Sequence, residues 1–280
     1  MASESAQLAL LLFTDLDGTL LGHQDYAYDA AIPVLAQLKT LQIPVIPVTS
    51  KTRAEVAQLR AEVGLTDPFV VENGGGVFIP ESDRNFPNAS GTVQDGYHIH
   101  QLGLTYPQAR QLLRQVETAL ETRLLGFGDM TIAQVQQYTG LSAEAAAQAQ
   151  RRDFSEPFVT PQQISGDRIR HVVEQLGYQV VVGDRFSHLI GVRSGKGRAV
   201  QTLIALYQQA HPTAQILTIG LGNSPNDLAM LEVVDLPIIL PGASGPHPGL
   251  QSRGWQVAPM PAPEGWAAIV EEILWVRESI

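Results

Sequence analysis

The sequence predicts an α/β chain: a parallel sheet with helices on both faces, interrupted by an inserted α+β module. Three observations predict it. In the first third, short apolar runs of strand length alternate with segments of helical periodicity. From about Phe86 the pattern turns polar and less regular. After about residue 190 the opening alternation resumes. The expected architecture is therefore a Rossmann-like core split between residues 1–85 and 191–280, with residues 86–190 as an inserted cap (lid) domain.

Each element follows from its residues. Leu8–Phe13 is six apolar residues in a row, a strand buried on both faces. Tyr28–Leu41 places Ala31, Val34, Leu35 and Leu38 at helical spacing. Ile43–Val48 is a β-branched run, blemished by Pro44 and Pro47, since proline removes ladder donors. Thr52–Val63 returns to helix with Gly64 as its stop, and Phe69-Val70-Val71 is a third strand. In the module, Gly91–Gly103 reads as polar strand, and Pro107 opens a helix that runs to about Leu124. Thr131–Gln137 and Ser142–Gln150 are two short helices, the second with Ser142 as N-cap. Asp167–Leu176 is a helix, followed by strands Tyr178–Val182 and Phe186–Val192 around Gly183-Asp184. The core then resumes with helix Lys196–Ala210, strand Ile216–Ile219, helix Ser224–Val233, strand Pro237–Leu240 and a closing helix Trp266–Val276.

Composition narrows the function. Across 280 residues, 44% hydrophobic and 16% charged residues suit a sizeable globular core. Twenty-eight acids against 18 bases give a formal charge of −10, which repels phosphate backbones and argues against nucleic acid. A small anionic ligand remains compatible, because a local basic pocket with a divalent metal overrides the distant field. With no cysteine, disulfides, thiolate catalysis and cysteine–zinc sites are excluded. Met1-Ala2-Ser3-Glu4-Ser5 lacks a basic leader and the apolar run behind it is too short to span a bilayer, so a soluble cytoplasmic protein is expected.

Candidate chemistry sits at predicted strand ends. Asp15 and Asp17 stand two apart where the first strand ends, so an extended chain would turn both to one point. Like charges so close need a cation or a proton between them. One carboxylate can act as nucleophile and the other as acid/base, with a hard metal ion neutralising both. Thr49-Ser50-Lys51-Thr52 offers hydroxyls and free amides for phosphate oxygens, although Ser and Thr also serve routinely as N-caps. Lys196 lies between glycines at a helix start, where a cation opposes the helix dipole and something anionic should compensate. Gly222-Asn223-Ser224-Pro225-Asn226-Asp227 brings a further carboxylate, Asp227, after another strand.

Asp15-Leu16-Asp17-Gly18-Thr19-Leu20 resembles the first motif of the haloacid dehalogenase superfamily, whose phosphatases form an aspartyl-phosphate intermediate. The resemblance implies Asp15 as nucleophile and Asp17 as general acid/base, with the Asp17 carbonyl on Mg²⁺. It implies that Lys196 steadies nucleophile and phosphate, that Asp227 binds the metal, and that Asn73 of Glu72-Asn73-Gly74 and Asn226 face the site. Asn223 departs from the aspartate usual at its position. Its amide still offers Mg²⁺ an oxygen, but without the charge.

A lid placed after the second and third strands resembles the Cof-type branch. Three segments are similar to the mannosyl-3-phosphoglycerate phosphatase family: Thr49–Thr52, Arg151–Phe158 and Arg185–Leu189. That implies hydrolysis of a glycosyl-3-phosphoglycerate, mannosyl-3-phosphoglycerate first; a monomer or homodimer is expected. Arg152 would then pair with the glycerate carboxylate, and Ser155, Glu156 and His188 would bond sugar hydroxyls. Each also admits a plainer role, Arg152 as a solvated helix-end charge and His188 as a satisfied buried histidine. Two other readings stay open: the same chemistry on a sucrose- or trehalose-type phosphate, and a weakly active sensor of a phosphorylated ligand.

Overall fold

β1 (Leu8–Thr14) is the organising strand of the computed structural model, which describes residues 8–182 and 185–278. The Met1–Ser5 segment and the expected Gly183-Asp184 turn lie outside them. From β1 the chain passes through α1 (Ile32–Thr40), β2 (Val45–Pro47) and α2 (Arg53–Val63) to β3 (Phe69–Val71), β4 (Gly76–Pro80), β5 (Thr92–Gln94) and β6 (Tyr97–Gln101). There follow α3 (Tyr106–Leu120), α4 (Ile132–Thr139), α5 (Ala143–Ala149), β7 (Glu156–Val159), α6 (Gly166–Gln175), β8 (Gln179–Val182) and β9 (Phe186–Ile190). The last stretch holds α7 (Lys196–Ala210), β10 (Gln215–Gly222), α8 (Leu228–Leu231), β11 (Leu236–Ile239), α9 (Pro248–Gln251), β12 (Gln256–Val257) and α10 (Glu264–Glu278).

Among the described residues the strands form sheets of five, four and three. The five-stranded sheet has the order β12-β11-β10-β1-β2, and its pairings are all parallel. β1 lies inside this sheet, so both of its faces need cover, and its period of two divides the apolar run between them. Leu10 and Leu12 join a core with Val34, Leu38 and Trp266 of α1 and α10. Leu11 and Phe13 join another with Val200, Leu203 and Met230 of α7 and α8. The prolines of the second run do little harm because Pro44 precedes β2 and Pro47 ends it. The Val45 N–H is taken by the Asp67 carboxylate at 3.0 Å.

Two sequence expectations are corrected. The boundary expected at 85/86 falls inside the four-stranded antiparallel sheet β3-β4-β6-β5, where β4 pairs with β6 from Gly76↔Gln101 to Pro80↔Tyr97. That ladder holds residues 92–101 beside β3 and β4. The helix expected over Ser224–Val233 is a 3-10 turn, Pro225–Asp227, followed by the single-turn α8. The Asp227 carboxylate pulls the backbone tight there by accepting from the Asn223 and Ser224 N–H groups, both at 3.0 Å.

The inserted residues build their own core. Leu112, Leu113 and Val116 of α3 and Ile169 and Val173 of α6 pack on Phe158 and Leu189 of the β7-β9-β8 sheet. The two chain crossings that join this module to the rest touch through backbone. A Cβ at Gly191 would lie 3.1 Å from the Gly103 Cα, and one at Gly103 would lie 3.0 Å from the Gly75 Cα. Among the described residues no helix is long and apolar enough to cross a membrane.

Candidate active site

The carboxyl ends of the parallel strands β1, β2 and β10 bring distant parts of the chain together, the place where open α/β sheets bind ligands. Lys196, at the start of α7, reaches Asp15 Oδ1 at 2.7 Å and Asp227 Oδ1 at 2.6 Å. All three are buried, Asp227 completely. The anion that a cation at a helix start requires is thus supplied twice over. Two carboxylates against one ammonium leave an excess of negative charge out of water. Burial, then the charge of Asp227, push the Asp15 carboxyl up to about 7 against the pull of Lys196, with a smaller push from Asp17.

The Asp15 position is braced from behind. Asp15 N–H donates to the Leu221 carbonyl at 2.9 Å, and Thr14 Oγ1 donates to the Asp15 carbonyl at 2.8 Å. Trp266 Nε1 of α10 donates in turn to Thr14 Oγ1 at 3.1 Å. Trp266 was legible only as an apolar helix residue, because nothing local to it points to residue 14.

Asp17 takes a different ion-pair partner from Asp15. The strand stops at Thr14, and the chain turns so that Gly18 N–H meets the Leu21 carbonyl at 2.9 Å and Leu21 N–H meets Leu16 at 2.9 Å. The alternation that would align i with i+2 has therefore ended, and Asp17 Oδ1 pairs with Lys51 Nζ at 3.0 Å. Burial works against the Lys51 charge, but Asp17 and then Glu55, 3.8 Å away, outweigh it and hold the ammonium above its ordinary range.

The hydroxyl cluster divides its two expected duties. Thr52 is the N-cap of α2, in a reciprocal box with Glu55: Glu55 N–H donates to Thr52 Oγ1 at 3.2 Å and Thr52 N–H to Glu55 Oε2 at 2.8 Å. Thr49 and Ser50 are therefore free of capping. Thr49 is buried, its Oγ1 accepting from Lys51 N–H at 3.2 Å. Across from it, Asn73 sits in a left-handed turn with φ +57° and accepts from Asn226 Nδ2 at 2.9 Å. Asn73 Nδ2 is buried with no protein partner, a donor left for an anion. The Asn223 side chain packs so close to Gly18 that a Cβ there would lie 2.3 Å from its Nδ2.

The donors around this point suit a hard dication. Asp15 and Asp227 carry the excess charge just described, and Mg²⁺, which keeps several waters, needs few protein ligands. Among the described residues no group of three or more His, Cys, Asp or Glu side chains is arranged as metal ligands. A site with two carboxylates accords with that.

The residues expected in the lid lie elsewhere. Arg152 is buried, and the carboxylate beside it is Glu72, with Nε and Oε2 3.3 Å apart. Its Nη2 donates to Ser155 Oγ at 2.9 Å and to the Ser50 carbonyl at 3.1 Å. Ser155 Oγ donates to Glu72 Oε2 at 2.7 Å, and the Asp153 and Phe154 N–H groups also donate to Glu72, at 2.7 and 3.1 Å. Glu156 is buried against Arg110 at 2.8 Å and Gly128 N–H at 3.0 Å. The His188 Nδ1 is sealed from solvent, and burial, then the charge of Arg152, drive the ring down to about 3, so it is neutral. Arg152, Ser155, Glu156 and His188 thus lie at the root and interior of the module, where Arg152 Nε, Glu156 Oε2 and His188 Nδ1 are buried without a hydrogen-bond partner among the described residues. Glu72 was missed as their organiser, since its glycine-rich neighbours read only as a turn.

The haloacid dehalogenase-like hydrolase family model matches residues 12–103. The chain is 37% identical over 265 residues to the glucosyl-3-phosphoglycerate/mannosyl-3-phosphoglycerate phosphatase of Persephonella marina, covering 95% of this chain and 97% of that one. It is 32% identical over 272 residues to the protein of the same name from Methanococcoides burtonii, covering 96% and 99%. The fold matches a haloalkanoate-superfamily phosphatase of Bacteroides thetaiotaomicron with a TM-score of 0.66 at 14% identity, over 97% of both chains.

Proposed function

Because the chain belongs to the glucosyl-3-phosphoglycerate/mannosyl-3-phosphoglycerate phosphatase family of haloacid dehalogenase-like hydrolases, we propose that it hydrolyses a glycosyl-3-phosphoglycerate to glycosylglycerate and phosphate. The observation that carries the reading is the buried Asp15–Lys196–Asp227 cluster at the ends of β1 and β10, with one negative charge too many.

In the proposed mechanism the Asp15 carboxylate attacks phosphorus, and the bond to the leaving oxygen breaks as Asp17 delivers a proton to it. Asp17 then takes a proton from water, which attacks the aspartyl-phosphate and frees Asp15. Lys196 holds the nucleophile in line and offsets charge on the phosphoryl oxygens. Thr49, Ser50 and Asn73 are placed to donate to those oxygens, with Asn226 holding Asn73. Asp15, Asp227, the Asn223 amide and the Asp17 carbonyl would hold Mg²⁺, which when bound neutralises the phosphoryl group and the paired carboxylates. The module over residues 104–190 acts as the cap, its root pinned to the phosphate loop by Arg152 on the Ser50 carbonyl.

Phosphate release with Mg²⁺ tests the reading. Glucosyl- and mannosyl-3-phosphoglycerate should be preferred over sucrose and trehalose phosphates, and an equal or reversed preference would sink it.

A further inference from the structure

We propose that the cavity between α2 and α5 seats the leaving group of this reaction, with the glycerate carboxylate on Lys51 and the uncharged glycosyl ring against Tyr26 and Tyr28. The assignment rests on the substrate class proposed above and adds where each part of that substrate binds.

Position comes first. The cavity holds about 260 Å³ and is walled on one side by the loop after β1 and by α2, on the other by the start and outer face of α5. Lys51 lines it, and the same ammonium lies 3.0 Å from Asp17 Oδ1. The space therefore opens beside the residue proposed to protonate the leaving oxygen. Small-molecule sites run from about 300 Å³ upward, so this is the volume of a single ring and not of an oligosaccharide.

Charge divides the space between the two parts of the ligand. Lys51 is the one cation among the described lining residues, against the carboxylates of Glu55, Glu62 and Glu144. A ligand anion is accepted at Lys51 and repelled everywhere else. A hydroxyl-rich neutral group meets acceptors suited to its O–H donors. The other cation considered for the carboxylate, Arg152, does not line this cavity and faces Glu72.

The walls have the mixed character that a sugar ring requires, apolar faces for its C–H groups and polar edges for its hydroxyls. Tyr26 is 41% exposed and has Lys51 Nζ 5.0 Å from its ring centre, and Leu59 extends the apolar side. The polar side is ordered before any ligand arrives. Gln148 Nε2 of α5 donates to Gln58 Oε1 at 2.6 Å, Gln58 Nε2 to Glu62 Oε1 at 2.8 Å, and Tyr28 to Glu62 at 3.4 Å. Thr52 Oγ1 holds the Gln148 carbonyl at 3.0 Å, fixing the two walls together.

The test compares three substrates with Mg²⁺ present: glycosyl-3-phosphoglycerate, 3-phosphoglycerate without the sugar, and glycerol 3-phosphate without the carboxylate. Gln58→Ala, which cuts the polar chain, and Ala145→Phe, which fills the space, should each lower the first-to-second ratio of kcat/KM by about tenfold or more. Lys51→Met should lower the second-to-third ratio by about tenfold. If the wild type prefers the glycosylated substrate and both cavity variants keep that preference, the assignment is wrong while the substrate class stands. If the wild type shows no preference for the glycosylated substrate, the substrate class falls first and takes the assignment with it.

Discussion

Lys196 and Arg152 are both buried cations facing buried carboxylates, yet they do opposite work. Around Arg152, Glu72 accepts from Ser155 and two backbone N–H groups, and the guanidinium pairs with Glu72 and donates to Ser155 and the Ser50 carbonyl. Its neighbour His188 stays neutral. Around Lys196, two carboxylates share one ammonium and Asp15 is driven up to about 7. A buried pair whose charges balance fixes geometry. One left with charge to spare marks where a ligand completes it.

That contrast can be broken by separating activity from stability. Asp15→Asn should cut phosphate release on the order of 10⁴-fold or more, with no fall in the denaturant midpoint, because it removes surplus charge. A stability loss as large as the activity loss would erase the distinction. Arg152→Ala strands Glu72 and should cost about 3–5 kcal/mol in urea unfolding. A loss under about 1 kcal/mol would mean that the module root is not held by this pair.

The two clusters should also respond to pH with opposite signs, in chelated buffer. The Asp15 carboxyl is raised, so the fold binds protons the unfolded chain has released, and its contribution is lost as pH rises from about 4 through 7. His188 is depressed, so its contribution is present above about 6.5 and lost as pH falls toward 3. Thermal midpoints of the wild type minus Asp15→Asn and minus His188→Gln should slope in opposite directions. Parallel slopes would refute the assignment of surplus charge to Asp15. A smaller effect sharpens the comparison: Asn223→Asp should tighten the Mg²⁺ dependence of turnover by roughly tenfold. Smallest, Trp266→Phe should cost about 1 kcal/mol through the lost bond to Thr14.

The same contrast explains what the sequence disclosed. Asp15, Thr49, Lys196 and Asp227 each sit at an apolar strand's end or a helix's start, so local periodicity and the topology of a parallel sheet place them together without any knowledge of contacts. The root of the module is different in kind. Arg152 and Glu72 are 80 residues apart in the numbering, and no local pattern says which carboxylate an arginine will find. β4 was hidden because Gly74-Gly75-Gly76 read as a loop, although it carries the ladder to β6. The Asp17 side chain's partner, Lys51, was not legible because strand alternation ends at Thr14. Tertiary pairing and chain termination, not residue type, set the limit of legibility.

The neck of the module, where Gly75, Gly103 and Gly191 meet backbone to backbone, carries an engineering consequence. Apart from the Ser194 hydroxyl beside Gly103 the contacts at Gly103 and Gly191 are backbone, so little there can yield to a misfit. A foreign lid grafted onto this sheet would have to import those glycine-thin joints with it, or be wedged ajar from the first residue.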